Sequence, residues 1–162
     1  MTSPVSKKKV TGKGVRSART AVDYGPLAGL IGYHLRRAQA VVFEDFMRSM
    51  AEQRITPGQF GVLTMVEANP DISQSALARA LGIERSTMVA VIDELEARGL
   101  AERRAARHDR RSYALKLTAD GAALLSALMP KVRRHEQRIT ADLSRAEKQR
   151  LIDLLRRLSK VP

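Results

Sequence analysis

Apolar residues recur every three or four positions over the first long segment of the chain, from Leu27 to Met50. This spacing places them on one side of a helix and predicts an amphipathic helix of about six turns. Two further helical patterns occupy roughly residues 119–160. The later one is leucine-rich and is opened by a capping box at residues 144–147. The earlier one is a helix that Thr118 caps and that has Pro130 within its apolar spacing. Because proline lacks the backbone N–H that a helix interior uses, we expect Pro130 to kink or interrupt this helix.

Three shorter helical patterns lie between these two segments, each with its own start signal. A capping box at residues 56–59 opens the first, which we expect to end before Pro70. Ser73 can cap the second, and the third begins near Glu84. The last two end at residues suited to a left-handed conformation, Gly82 and Gly99. Two short helices joined by a tight, glycine-containing turn predict a helix-turn-helix unit.

The hydrophobic period changes from helical spacing to strict alternation after Leu100. Apolar Tyr113, Leu115 and Leu117 are separated by single residues, which predicts a strand. Residues 101–107 are the expected partner strand of a hairpin whose tip is residues 108–111. The order of elements predicts a mainly α fold with a small two-stranded β wing: a winged helix-turn-helix with N- and C-terminal dimerisation helices.

Two copies of the chain would solve a packing problem that the helical ends create. The long apolar faces of the N- and C-terminal helices are too extensive to be buried on a winged unit that has its own core. We therefore expect the end regions to pack against their counterparts in a second copy, giving a two-fold homodimer.

The charge of the chain, formally +12 over 162 residues, points to a polyanionic partner. The excess cations are concentrated in residues 1–22, 98–116 and 131–162. Residues 1–22 form a basic arm that we expect to be disordered in isolation. The arm is either a solubilising tail or a segment that contacts phosphate, and a charge run of this kind favours the first interpretation.

Several classes of protein are disfavoured by what the composition lacks. There is no cysteine, and the three histidines form no closely spaced pair, so we expect no metal and no cofactor. No apolar stretch approaches a membrane span and no secretory signal follows the basic start, so we expect a soluble, cytoplasmic protein. An enzyme would need a converging nucleophile, base or metal set, and the sequence offers none.

The hairpin region carries the most specific motif in the chain. Residues 109–118 read D-R-R-S-Y-A-L-K-L-T, and with the helix-turn-helix before them they resemble the MarR family of bacterial transcriptional regulators, whose wing pattern is D-x-R-x-x-x-L-x-L-T. The resemblance covers roughly residues 27–160. The basic arm over 1–22 lies outside it. The rest is a single domain over 23–162, for which the resemblance implies dimerisation helices at about 27–52 and 119–160 and the winged helix-turn-helix at about 56–118.

The resemblance also implies which residues bind DNA. A recognition helix enters the major groove by its N-terminal end, where we place Arg85, Ser86 and Thr87. Gln74 and Ser75, at the start of the preceding helix, are placed to contact phosphate. Farther along the recognition helix, two small apolar residues could contact a thymine methyl group, Val89 and Ala90.

In the wing, Asp109 and Arg111 can pair across the turn and leave Arg110 projecting toward an A·T-narrowed minor groove. Arg104 and Arg107 would lie along the flanking DNA backbone. The alternative for each residue alone is a solvated basic hairpin with a surface ion pair of little energetic value. The ten-residue match directly after a helix-turn-helix favours the DNA-binding wing.

Members of this family commonly bind palindromic operators and release them when a small molecule binds, so the resemblance implies an effector. The candidate contacts are a polar cluster at the start of the first long helix: Tyr24, Tyr33, His34 and Arg37. A histidine on a helix is more often structural than ligand-binding, and that alternative stays open. The resemblance to members that govern aromatic catabolism suggests an aromatic acid or its coenzyme A thioester. The other functional alternative is a non-specific DNA-packaging protein, which the net charge alone would allow.

Overall fold

The computed structural model describes residues 22–105 and 113–159. Within these residues the chain is mainly helical with one two-stranded antiparallel sheet, which confirms the predicted fold class. The elements in chain order are α1 (Ile31–Ser49), α2 (Pro57–Ala68), α3 (Gln74–Leu81), α4 (Arg85–Ala97), β1 (Ala101–Ala105), β2 (Tyr113–Leu117), α5 (Ala119–Ile139) and α6 (Arg145–Leu158). Short 3-10 helices cover Gly25–Gly29 and Ala51–Gln53.

The predicted helix starts of the winged unit are confirmed by their hydrogen bonds. Thr56 Oγ1 accepts from the Gln59 backbone N–H at 3.2 Å while the Gln59 side chain accepts from the Thr56 N–H at 3.0 Å, which completes the capping box. Ser73 Oγ accepts from the Ala76 N–H at 3.2 Å and caps α3. Gly82 ends α3 with φ of 62°, a conformation that glycine adopts without a Cβ clash.

The long helices differ from what the sequence predicts at two points. The first helix begins at Ile31 and not at Leu27, because Leu27 belongs to a 3-10 helix and Leu30 is extended, with φ −93° and ψ 122°. Pro130 does not interrupt the next long helix, since α5 runs continuously through it. The burial of Leu125 and Leu128 beside the proline offsets the loss of one backbone hydrogen bond.

The core joins the helix-turn-helix to the long helices. Met88, Ile92 and Leu95 form the buried side of α4, at the spacing expected for one helix face. Phe46 from α1 and Leu128 from α5 belong to the same cluster. The recognition-helix region is therefore packed rigidly onto the elements that we expect to mediate dimerisation.

The hairpin is fixed to its surroundings by a third backbone segment that the hydrophobic pattern did not reveal. β1 pairs with β2 in antiparallel register. The Leu115 N–H also donates to the Ile72 carbonyl at 3.0 Å, and Ser73 forms an isolated antiparallel bridge with Ala114. Adjacent residues of a strand point to opposite sides, yet Ala114 and Leu115 are both buried. The bridge to Ser73 accounts for the burial of Ala114. The base of the wing is thus tied to the start of α3.

The start of α5 lies against the end of the helix-turn-helix at a glycine. A Cβ added to Gly121 would lie 1.9 Å from the carbonyl oxygen of Leu100. Thr118, which caps α5, also donates to the Gly99 carbonyl at 2.6 Å. The wing, α4 and α5 therefore meet at a junction that only a residue without a side chain permits.

The apolar faces of the two helical ends remain exposed in the single chain. α6 has no buried residue, and its leucine stripe is about two-fifths exposed at Leu151, Leu154, Leu155 and Leu158. Ile31 and Leu35 on α1 are also exposed. No helix in the described ranges is both long and apolar enough to cross a membrane.

Candidate DNA-binding surface and effector region

The start of α4 exposes the predicted base-contacting residues. Arg85 is the first residue of this helix, and Arg85, Ser86 and Thr87 are all exposed. The N-cap residue, Glu84, makes no side-chain capping bond, so backbone N–H groups of the first turn are left free. Free N–H groups at a helix N-terminus favour phosphate oxygens, and the three side chains add hydroxyl and guanidinium donors.

The two sides of α4 are separated as the sequence predicts. Met88 and Ile92 are fully buried, whereas Val89 and Ala90 are exposed. Val89 is 38% exposed, which is enough for contact with a base-edge methyl group. Ser86, Val89, Ala90 and Asp93 share the solvent side of the helix, and we call them the outer stripe of α4.

Gln74 and Ser75 occupy the first turn of α3, as expected, but their environments differ. Ser75 is exposed. Gln74 is half-buried, and its Oε1 accepts from Nε of Arg103 at 3.4 Å. The amide NH₂ of Gln74 is the group left to donate to a phosphate, which keeps its predicted role chemically open.

The wing residues fall partly within the described structure. Arg104 is exposed on β1 and pairs with Glu102, with its Nε 2.9 Å from the carboxylate. Both side chains leave the same side of the strand. Arg107, Asp109, Arg110 and Arg111 lie outside the described residues, so the predicted turn pairing and minor-groove contact remain predictions. The same holds for residues 1–21 of the basic arm.

Sequence reasoning missed one residue at the centre of this surface, Arg103. Its guanidinium forms a salt bridge with Asp93 at 2.6 Å and another with Glu96, both on α4. Its backbone N–H donates to Glu96 at 2.6 Å. The alternation of residues along the hairpin strands could have indicated that Arg103 faces the protein interior. Arg103 pairs in register with the buried Leu115 and so occupies the packed side of β1.

The candidate effector residues form an aromatic and cationic cluster at the start of α1. The rings of Tyr24 and Tyr33 are 5.8 Å apart, and those of Tyr33 and His34 are 5.4 Å apart. Arg37 donates to the Tyr33 hydroxyl at 3.3 Å, and this hydrogen bond raises the pKa of Arg37 above its usual value. His34 Nε2 lies 2.9 Å from the Ala28 carbonyl, which ties the 3-10 helix to α1.

Three of these four residues line cavities, and the cavities are different ones. Tyr33 and Arg37 line a cavity of about 480 Å³ along α1, together with Arg36, Gln39, Ala40 and Phe43. His34 lines an apolar groove of about 630 Å³ between α1 and α6. The groove is walled by the exposed leucines of α6, so it belongs to the surface that we expect a second copy to cover.

A charged contact fastens α1 to α5 below this cluster. The buried His135 and the guanidinium of Arg138 both contact the Asp45 carboxylate, at 2.7 and 2.9 Å. The hydrogen bonds from Arg138 and His135 lower the pKa of Asp45 to about 2. The two helices that we assign to dimerisation are therefore joined by ion pairing as well as by apolar packing.

A second set of polar contacts connects these helices to the recognition helix. Arg98, at the end of α4, donates to the backbone carbonyls of Gln53 and Arg54 at 2.8 and 2.9 Å. Lys131 on α5 donates to Glu52 at 2.6 Å and to Gln53 at 2.8 Å. The short segment between α1 and α2 thus contacts α4 on one side and α5 on the other.

A metal site requires several ligand side chains close together. Among residues 22–105 and 113–159, no three His, Cys, Asp or Glu side chains are grouped as a metal site requires. The exposed donors at the start of α4 and the cationic cavity on α1 are instead suited to anionic partners.

Comparison with known proteins places these features in a family. The sequence model of the MarR family matches residues 55–112, which contain the helix-turn-helix and the first strand of the hairpin. A Thauera aromatica protein to which transcriptional regulation of the hcr operon is assigned is 40% identical over 152 residues, 93% of this chain and 92% of that protein.

Solved structures extend the similarity to three dimensions. The transcriptional repressor CouR bound to a 23-mer DNA duplex superposes with a TM-score of 0.82 at 42% identity, covering 87% of this chain and 100% of CouR. CouR bound to p-coumaroyl-CoA superposes with a TM-score of 0.79 at 40% identity, covering 86% and 99% of the two chains.

Proposed function

Because the chain belongs to the MarR family of transcriptional regulators, we propose that it is a repressor that binds a palindromic operator as a homodimer and releases it when a small molecule binds. The exposed, uncapped start of α4 is the observation that carries the proposal. There Arg85, Ser86 and Thr87 are presented on a rigidly packed helix with free N–H groups behind them. We place this activity in the cytoplasm.

The dimer is supported by the apolar faces that a single chain leaves open. The leucine stripe of α6 and the exposed Ile31 and Leu35 of α1 wall one groove. A second copy seated there would bury both faces, because most of the lining is apolar and only Arg157 and His34 contribute polar side chains. Two-fold symmetry would relate the two α4 helices as the half-sites of a palindrome are related, and operator binding requires them about 34 Å apart, one DNA turn.

Each predicted residue has a distinct role in DNA binding. Arg85, Ser86 and Thr87 contact base edges and phosphate, and Val89 with Ala90 contacts thymine methyl groups. Gln74 and Ser75 contact the backbone at the start of α3. The wing residues Arg104, Arg107 and Arg110 follow the flanking backbone and minor groove, with Asp109 and Arg111 shaping the turn.

The effector is an aromatic acid or its coenzyme A thioester. The cavity along α1 combines aromatic rings with two guanidinium groups, Arg36 and Arg37, which suits a planar ligand with anionic groups. A repressor similar to this chain has been solved with p-coumaroyl-CoA, which is a ligand of this class. Tyr24, Tyr33, His34 and Arg37 are the residues that we assign to effector binding.

The effector acts by a shift between two arrangements of the dimer. A ligand that binds better to one spacing of the two α4 helices increases the population of that spacing. The contacts of Arg98 and Lys131 with residues 52–54 supply a physical connection from the long helices to α4. Release follows when the favoured spacing no longer matches one turn of DNA.

The first experiment compares specific with non-specific affinity. Fluorescence anisotropy would measure binding to DNA from upstream of the protein's own gene and to random DNA of equal length. We expect a preference of at least about 1,000-fold for the operator-containing DNA. A ratio near one would reject the operator-binding proposal and favour the DNA-packaging alternative.

The second experiment tests the effector with the operator complex formed. Added p-coumaroyl-CoA and free p-coumarate serve as probes of the thioester and acid forms. We expect one of them to lower operator affinity in the wild-type protein and in Arg48→Met, and to have a weaker effect on Arg37→Met. Arg48 is a matched control because it is an exposed arginine of α1 that pairs locally with Glu44. Undiminished operator binding with both probes would refute the aromatic effector.

A further inference from the structure

Arg103 bridges three elements that the proposed function uses together. From β1 it forms salt bridges with Asp93 and Glu96 on α4, and its Nε approaches the side chain of Gln74 on α3. Its side chain is only 18% exposed, in contrast to the 53% of the adjacent Arg104. The two arginines leave opposite sides of the strand, so Arg103 is held inside the winged unit while Arg104 remains in solvent.

One of the carboxylates that Arg103 contacts, Asp93, lies on the side of α4 that carries the predicted base contacts. Asp93 follows Val89 by four residues and belongs to the outer stripe of α4, where it is 57% exposed. Glu96 lies one turn farther along, with 29% of its side chain exposed. A carboxylate on this stripe faces the same direction as the predicted base contacts, and without a counter-charge it would repel DNA phosphates.

The geometry points to Arg103 as a positioning residue for operator binding, an inference that rests on the proposed function. Its guanidinium offsets half of the combined negative charge of Asp93 and Glu96. Its contacts with α4 and α3 also fix the angle between the wing and α4. The wing can then reach the minor groove while α4 lies in the major groove. Arginine is suited to this role because its planar group donates in several fixed directions, whereas lysine is a single point charge.

The test uses the full-length protein with four variants. Arg103→Gln removes both the charge and the planar guanidinium group, and Arg103→Lys keeps the charge but not the planar group. A triple variant combines Arg103→Gln with Asp93→Asn and Glu96→Gln, so that no carboxylate is left uncompensated. Arg48→Gln is the matched control, since it breaks an exposed arginine–carboxylate pair on α1 and lowers the net charge by the same amount.

Two measurements separate the charge effect from the positional effect. Operator affinity by anisotropy reports both, and the preference for A·T-rich over G·C-rich flanks reports the placement of the wing. Each variant is measured at a temperature at which circular dichroism shows it to be folded. A role in stability alone would then move neither readout.

We expect Arg103→Gln to bind the operator at least about tenfold more weakly than Arg48→Gln and to lose part of its flank preference. Arg103→Lys should fall between Arg103→Gln and the wild type in affinity. The triple variant should recover affinity relative to Arg103→Gln, because the repelling carboxylates are gone. Its flank preference should stay reduced, because the wing is still not held to α4.

Two results would overturn the inference. One is an Arg103→Gln protein that matches Arg48→Gln in both affinity and flank preference. The other is a triple variant as weak as Arg103→Gln, which would mean that the two carboxylates do not oppose DNA binding. A wild-type protein without preference for operator over random DNA would instead contradict the proposed function itself, before Arg103 is considered.

Discussion

The imidazole of His135 donates through Nδ1 to a carboxylate oxygen of Asp45 at 2.7 Å, joining helices whose residues are 90 positions apart in the sequence. An ionised carboxylate can only accept, so the proton of this hydrogen bond is on Nδ1. The ring of His135 also packs edge-on against Phe46 at 5.4 Å, which fixes its orientation. This contact therefore connects α1 directly to α5.

Replacing Asp45 with Asn should weaken this connection. We expect Asp45→Asn to lower the free energy of unfolding by roughly 2 kcal/mol, because charge-assisted hydrogen bonds to a buried histidine and to Arg138 are lost. Urea denaturation followed by circular dichroism measures the change. Glu44→Gln is the control, since Glu44 pairs with Arg48 in solvent and should contribute little. Equal stability of the two variants would contradict a structural role for the Asp45 contact.

The same carboxylate predicts an acid-sensitive component of stability. The pKa of Asp45 is lowered to about 2 in the folded chain, chiefly by the hydrogen bond from Arg138 and then by that from His135. Because the pKa is lowered in the folded chain, the ionised carboxylate stabilises the fold at pH values above its ordinary pKa near 3.8. This stabilisation is lost as the pH falls toward 2. The difference in unfolding free energy between wild type and Asp45→Asn should therefore be constant above about pH 5 and shrink below pH 4. A difference that stays constant down to pH 2.5 would argue against this assignment.

Gly121→Ala should be strongly destabilising. The added Cβ would overlap the Leu100 carbonyl, a backbone atom that cannot move without displacing the wing or α5. We expect a loss of roughly 3 kcal/mol or more in thermal or urea unfolding. Gly61→Ala on α2 is the control, because its Cβ would have ordinary contact with Leu81 at 3.6 Å and should gain up to about 1 kcal/mol from helix propensity. A Gly121→Ala protein as stable as Gly61→Ala would mean that the junction can relax.

Leu155→Arg should convert the proposed dimer to a monomer. Leu155 lies on the exposed leucine stripe of α6, and a buried unpaired charge there would oppose association. Sedimentation velocity measures the state, and operator affinity should fall at least about 100-fold because one copy reaches one half-site. Gln149→Arg introduces the same side chain on the polar side of α6, where Gln149 bonds Asp153, and should remain dimeric. A dimeric Leu155→Arg protein would place the interface elsewhere.

Arg110→Ala should weaken operator binding and reduce the preference for A·T-rich flanks. The narrow minor groove of A·T tracts has a strongly negative potential, which a projecting arginine reads as shape. We expect a roughly tenfold loss on A·T-rich flanks and a smaller one on G·C-rich flanks, measured by anisotropy. Arg48→Ala controls for the change in net charge. An equal loss on both flanks would assign Arg110 to backbone contact alone.

Much of the fold follows from signals that lie within a few residues of each other. The capping bonds of Thr56 and Ser73 and the left-handed Gly82 are local, so the sequence alone locates α2 and α3. The exposure of Arg85 at the start of α4 follows from the same local rules. Where local signals compete, the prediction was wrong, as at Leu27, which the hydrophobic spacing assigns to α1 but Gly25-Pro26 draws into a 3-10 helix.

The sequence by itself determined the order of helices and strands, the family motif and the exposed start of the recognition helix. Only the tertiary structure decided that Arg103 faces α4, that His135 meets Asp45, and that His34 and Arg37 line different cavities. The physical reason is the sequence separation over which each interaction acts. Caps and periodicity act through the backbone between near neighbours, whereas ion pairs and cavities depend on elements that packing brings together from distant parts of the chain.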